Sequence, residues 1–194
     1  VKFTFWHQLG LDALSNDIFE YIAVKNIPCV IANAENGLDM FKYDYTIDTR
    51  KLNVLPQYIS FNLERHSRSQ ILKEFSIKEN SLVIGMVAHY RPEKLHFLLL
   101  ESFAELAAEF NNIYLVLLGN RDNTQKTLEI YETIIDYVSS KGLDEKVKVL
   151  SGERVEVILS MLDIGVLVSE IEGVPNSVME YMLYGLPVVT TNHP

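Results

Sequence analysis

The stretch of this 194-residue chain best equipped for chemistry is Glu172-Gly173-Val174-Pro175-Asn176-Ser177-Val178-Met179-Glu180, in which two carboxylates stand with seven residues between them. Gly173 permits close approach to the backbone, Pro175 suits the opening of a helix, and Asn176 or Ser177 can cap one. A helix starting there turns free N–H groups and the positive end of its dipole outward, which makes an anion site. Glu172, in the loop before the helix, can reach a group lying over that start. Glu180, near the helix start, can accept two hydrogen bonds from a vicinal diol such as ribose. A loop carboxylate and a dipole-compensating one would show the same spacing, so spacing alone leaves both readings open.

A second cluster comprises His89, Arg91, Lys94 and His96, four potentially cationic groups within eight positions of an apolar run, with Pro92 opening the next helix. Such a cluster suits a diphosphate whose charge no metal neutralises. The plainer reading, a solvated basic first turn, is one the helix dipole disfavours. Gly119-Asn120-Arg121 reads as an ordinary turn, and the lone His7 at the end of an apolar stretch reads as structural.

Absent signatures narrow the chemistry. The nine glycines stand at 10, 37, 85, 119, 142, 152, 165, 173 and 185, so no pair is two apart and no G-x-G-x-x-G turn exists; a G-x-x-x-x-G-K-[ST] loop is missing too. No two aspartates form D-x-D, which disfavours a carboxylate-held divalent metal and leaves phosphate to backbone amides and cations. A net charge of −9 with scattered basic residues argues against nucleic acid as a partner. Hydrophobic residues make up 48% of the chain, and only 9 Gly and 6 Pro interrupt them, so a disordered or collagenous chain is excluded. The single Cys29, in the apolar run Pro28-Cys29-Val30-Ile31-Ala32, reads as a buried inert thiol and suits a reducing, cytoplasmic setting. No apolar run approaches the roughly 18 residues of a membrane helix, and no signal peptide opens the chain. An initial Val and a final Pro just after a strand-like run make both ends read as cut.

Periodicity supplies the elements that would position these groups. Extended segments are predicted at 1–6, 29–32 and 52–55, with helices at 17–25, behind Ser15 or Asn16 as cap, and at 34–41. A helix at 65–75 precedes regular alternation: strands at 82–88, 113–118, 147–150, 164–168 and 187–190, and helices at 92–110, 124–141, 155–162 and 176–183. Strands apolar throughout, such as Tyr114-Leu115-Val116-Leu117-Leu118, imply burial on both faces of a sheet. The expected fold class is therefore α/β, a Rossmann-like doubly wound parallel sheet, with ligands along the rim of strand C-terminal ends. That rim carries His89-Tyr90-Arg91, Gly119-Asn120-Arg121, Ser151-Gly152-Glu153, Ser169-Glu170-Ile171-Glu172-Gly173 and Thr191-Asn192-His193. The first fifty-odd residues alternate similarly but offer too few strands for an independent sheet, and 53–62 reads as a crossing between two domains.

Taken in order, Ile84-Gly85-Met86-Val87, Lys94, Leu115 to Gly119, Leu162-Asp163-Ile164-Gly165-Val166-Leu167-Val168-Ser169, the Glu172 to Glu180 stretch and Tyr184-Gly185-Leu186-Pro187-Val188-Val189 resemble the donor-binding domain of the retaining glycosyltransferases of family four. These have the GT-B architecture of two Rossmann-like domains across a cleft, and Glu172 and Glu180 match the family's E-x7-E. Phe5-Trp6-His7-Gln8-Leu9-Gly10 is similar to a strand ending near the sugar, and Val54-Leu55-Pro56 to the interdomain linker. The resemblance implies 1–55 as the end of the acceptor domain, 56–64 as linker and 65–194 as an incomplete donor domain.

It further implies catalytic roles for Glu172 at the transferred sugar, Lys94 at the diphosphate and His7 facing the reacting sugar. Gly173, Val174, Pro175 and Asn176 would hold sugar hydroxyls through their backbone, beside Ser177. Glu180 would hold the ribose, Gly152 and Arg154 would flank the base, and His89, Arg91 and Gly119 would complete the donor set. The family's usual Arg is His89 here, with Arg91 a substitute two residues on, and the linker's Asn-Gly is Gln57-Tyr58.

The expectation is metal-independent transfer of a hexose from a nucleoside-diphosphate sugar, a substrate with no cofactor beside it, to a glycan or lipid-linked hydroxyl in polysaccharide, lipopolysaccharide or glycolipid assembly. The setting would be cytoplasmic, at the inner face of the membrane if the missing part makes a peripheral contact. Alternatives are a nucleotide-sugar epimerase on a similar scaffold and a binding or regulatory module without turnover.

Overall fold

The computed structural model describes residues 4–7, 17–59, 63–120 and 124–192. Outside them lie residues 1–3 of the expected first strand, Ser15 and Asn16, part of the 53–62 crossing, Arg121, His193 and the side chain of His7. The chain divides into two compact units, one of Val1–Ser60 with Ile171–Pro175 and His193–Pro194, the other of Phe61–Glu170 and Asn176–Asn192.

In the first unit, β1 (Thr4–His7), β2 (Cys29–Ala32) and β3 (Leu52–Val54) lie parallel in that order, with Phe5 opposite Val30 and Val30 opposite Leu52. Helices α1 (Ile18–Asn26) and α2 (Asn36–Tyr43) accompany them. Val24, Val30, Ala32, Leu38, Met40, Phe41, Tyr45 and Ile47 form a core of their own. The α1 cap is Asp17, whose carboxylate accepts from Phe19 N–H at 2.7 Å, so the helix starts one residue after the acid. Cys29 is half-buried, not buried: β2 shows its alternate residues Val30 and Ala32 to the core.

The second unit is a five-stranded, wholly parallel sheet in the order β6-β5-β4-β7-β8. Its strands are β4 (Leu82–Val87), β5 (Ile113–Leu118), β6 (Val147–Leu150), β7 (Ile164–Leu167) and β8 (Val188–Thr190). Every residue of β5 is buried, because helices cover both faces. On one face Ile84, Met86, Leu115 and Leu117 pack with Leu100 and Phe103 of α4 (His96–Glu109) and Ile134 and Val138 of α5 (Gln125–Ser140). On the other, Val83, Tyr114, Val116 and Leu118 pack with Leu72 of α3 (Arg68–Glu74), Ile158 of α6 (Val155–Leu159) and Tyr181 of α7 (Asn176–Leu183). Each such aliphatic side chain contributes about 1.5–3 kcal/mol on burial. The α/β, Rossmann-like, doubly wound arrangement read from the sequence is the one observed.

Three helices differ from expectation. The predicted helix at 92–110 is split into a 3₁₀ turn at Pro92–Lys94 and α4, separated by Leu95 at φ 20°, because α4 begins only where its buried face does, at His96. Helix α6 stops at Leu159, where Ser160 Oγ bonds back to the Glu156 carbonyl and Met161 and Leu162 turn into the core. Helix α3 starts at Arg68, whose guanidinium meets Asp163 at 2.7 Å and the Ser81 carbonyl at 3.1 Å.

Candidate functional site

The order of strands reverses at β4. From there the chain runs outward through β5 and β6, then returns to place β7 and β8 on the other flank, so the loops leaving β4 and β7 depart from neighbouring strand ends in opposite directions. Open α/β sheets bind ligands at such a point. A backbone bond from Glu170 N–H to the Glu93 carbonyl, 2.9 Å, joins the loop after β7 to the turn after β4.

That turn carries the expected cations, with one exception. Lys94 is half-buried at its end, and His89 and Arg91 are exposed. His96 does not belong with them: it is 3% exposed, its ring centroid lies 5.2 Å from that of Tyr90, and its Nδ1 has no partner. Burial lowers its pKa to about 4, against the opposing effect of its bond to the Ala88 backbone and with a smaller push from Lys94, so the ring is neutral at pH 7. Four cationic candidates therefore become three.

Helix α7 begins with Asn176 exposed and Ser177 buried. Glu180 follows in its second turn, half-buried, and its pKa rises to about 7, first through burial and then through the like charge of Glu156. Glu156 itself lies 3.8 Å from Nε of Arg154, whose Nη2 meets Glu64 at 2.6 Å. Tyr184 donates to the Glu64 carbonyl at 2.7 Å. Arg154 and Glu180, both nominated from the sequence, thus share one neighbourhood through Glu156. Gly152 is exposed in the turn before Arg154.

Other nominated residues stand as follows. Glu172, Gly173, Val174 and Pro175 are half-buried in the segment that groups with the first unit, where Asn36 Nδ2 donates to the Glu172 carbonyl at 3.3 Å. His7 closes β1 opposite Ala32. Gly119 is buried at the end of β5, where a Cβ would lie 2.5 Å from the Ala88 carbonyl oxygen and 2.7 Å from the Tyr90 ring, so packing alone requires glycine there.

The rim is also stitched by three hydroxyls. Tyr90, wholly buried, places its hydroxyl 2.7 Å from the Leu150 carbonyl and 3.2 Å from that of Leu117. Tyr181, also wholly buried, accepts from Val87 N–H at 2.7 Å and donates to the Val166 carbonyl at 3.2 Å. Thr191 accepts from Ser169 N–H at 3.2 Å and donates to the Ser169 carbonyl at 3.0 Å. Sequence reasoning placed Tyr90 and Thr191 on the rim without giving them a role, and passed over Tyr181 and Glu156; the available signal was a tyrosine directly after Glu180 and one helical turn past Ser177.

Among the described residues, no helix is long and apolar enough to cross a membrane, and no group of three or more His, Cys, Asp or Glu is placed to hold a metal ion.

Comparison with known proteins agrees with this architecture. The family model for glycosyl transferases group 1 matches residues 67–194. No curated protein matches the sequence significantly. Among solved structures, a glycosyltransferase from Rickettsia africae superposes with a TM-score of 0.79 at 16% identity, over 93% of this chain and 49% of that one. HepE of Anabaena, solved in complex with UDP and glucose, gives 0.77 at 20% identity, over 96% and 52%. Sucrose-phosphate synthase from Thermosynechococcus elongatus gives 0.74 at 18%, over 97% and 50%. The chain thus spans about half the length of the solved proteins it resembles, and at these identities the likeness is one of fold.

Proposed function

The chain belongs to the glycosyl transferases group 1, and from that premise we propose that it carries the donor-binding half of a retaining, metal-independent GT-B hexosyltransferase of family four. The transferred sugar arrives as a nucleoside diphosphate sugar and passes to a hydroxyl of a glycan or lipid-linked acceptor, in surface polysaccharide, lipopolysaccharide or glycolipid assembly on the cytoplasmic side of the membrane. Residues 1–55 are assigned to the acceptor-side domain, 56–64 to the linker and 65–194 to the donor domain.

The observation that carries this reading is the backbone bond that ties the Arg91 and Lys94 turn after β4 to the loop after β7, upstream of α7, whose Glu180 is desolvated enough to value a diol's hydrogen bonds. In this reading Lys94, with Arg91 and His89, neutralises the diphosphate and lowers the barrier to its departure. Glu180 takes the ribose hydroxyls, and Gly152 and Arg154 border the base. Glu172 contacts the sugar, whose hydroxyls are held by backbone groups of Gly173, Val174, Pro175 and Asn176 beside Ser177. His7 is assigned to the reacting sugar, and Gly119 to the donor-binding set. HepE's complex with UDP and glucose supports a uridine nucleotide as the first donor to try.

Titration calorimetry with UDP, GDP and ADP sugars tests the reading, followed by an assay for sugar release. Saturable binding of one nucleotide series is expected, with Glu180→Ala weakening it and Lys94→Ala chiefly slowing release. No binding of any series, or full release by Lys94→Ala, would count against it.

A further inference from the structure

The ladder between β4 and β7 ends early. The two strands pair at Ile84 with Ile164 and Gly85 with Gly165, and no further. In a parallel ladder of this register the next rung would run from Val87 N–H to the Val166 carbonyl. Those are the two groups that Tyr181 engages, one as acceptor at 2.7 Å and the other as donor at 3.2 Å. The hydroxyl therefore stands inside the missing rung and holds the strands apart at their C-terminal ends, the place where the strand order reverses. Its ring lies flat against β7, since a Cβ on Gly165 would come within 2.3 Å of it. Ser177, in the first turn of α7, lies near the same hydroxyl and partly offsets the rise that burial gives its pKa.

We propose that Tyr181 is a positioning residue of the donor site, a role that rests on the reading given above: its inserted hydroxyl sets the width of the crevice between β4 and β7 and fixes the start of α7 against it. Glu180, its immediate neighbour in sequence, and Ser177, one turn earlier, are then held in place by a group that touches no substrate. Removing the hydroxyl lets the rung close and draws β7 toward β4, or else leaves a buried N–H and C=O unpaired; in both cases the helix start loses its tether.

UDP, GDP and ADP are titrated into the wild-type chain, and the tightest binder is used with Tyr181→Phe and with Ile134→Val, a core change on the opposite face of the sheet. Tyr181→Phe should bind about tenfold more weakly, whereas Ile134→Val should stay within twofold at a similar loss of thermal stability. Binding by Tyr181→Phe within twofold of wild type overturns the role, as does an equal loss in Ile134→Val, which would make softening of the fold the cause. Should Tyr181→Phe not fold, hydrogen exchange at the Val87 amide of the wild-type chain decides: slowing of roughly tenfold by saturating nucleotide is expected, and unchanged exchange overturns it. A wild-type chain that binds none of the three nucleotides sinks the donor-site reading itself, a result distinct from either of these.

Discussion

Tyr90 and Tyr181 are both wholly buried tyrosines whose hydroxyls end at the C-terminal rim of one sheet, yet they do opposite things. Tyr90 adds a donor to the Leu150 carbonyl while β5 and β6 remain paired through Leu118 and Leu150, and Gly119 N–H adds a further bond to that carbonyl at 3.1 Å. Tyr181 replaces a rung instead of supplementing one. One flank of the sheet is thereby stitched shut and the other held open, with β5 and β6 on the first and β7 on the second. A buried hydroxyl at a strand end has no fixed meaning; what decides its effect is whether the ladder beneath it already has all its bonds.

The largest perturbation of that contrast should come from Gly165→Ala, whose methyl must share space with the Tyr181 ring. A loss of about 3 kcal/mol in urea denaturation, together with loss of nucleotide binding, is expected; a variant as stable as wild type would show that the ring is free to move. The next effect concerns charge on the open flank. Glu180 titrates near pH 7 under burial and the neighbouring Glu156, with Arg154, Glu64 and Tyr184 around them. If the ionised carboxylate takes the diol, nucleotide affinity should rise roughly tenfold from pH 6 to pH 8. Glu156→Gln should move the midpoint downward. The unliganded protein should respond in the opposite sense. A carboxyl raised above its unfolded value contributes stability that is fully present below about pH 4.5 and lost as the pH climbs through 7. Melting at pH 5 and pH 8 should therefore differ less in Glu180→Gln than in wild type.

Smaller effects belong to the closed flank. Tyr90→Phe should cost about 1 kcal/mol of stability for the lost bond to Leu150 and leave nucleotide affinity within twofold. An affinity loss as large as that of Tyr181→Phe would erase the distinction between the flanks. Leu95, at φ 20° between the Lys94 turn and buried His96, should gain stability of about 1 kcal/mol on replacement by glycine. A melting temperature unchanged by Leu95→Gly would mean that the backbone carries no strain there.

The sheet was readable because burial on both faces writes itself as uninterrupted apolar runs: Ile113–Leu118 and Val147–Leu150 agree with expectation to the residue. Helix α7 was readable from Pro175 and Asn176. The errors fall where residue type and environment part company. His96 counts as a cation in the sequence because three basic neighbours surround it, and only the turn at Leu95 swings it inward. Tyr90 sits between His89 and Arg91 and reads as part of a polar loop, though its ring is wholly covered. Glu156 becomes relevant only through its approach to Glu180, a pairing across 24 positions that no local pattern announces.

The link between Glu170 and Glu93 has a different kind of permanence from any of these side-chain contacts. Both partners are main-chain atoms, so drift in the side chains leaves it intact and only a proline at position 170 deletes it. The spacing of the two loops is thus set by main-chain atoms, as a hinge pin keeps two leaves aligned whatever is painted on them.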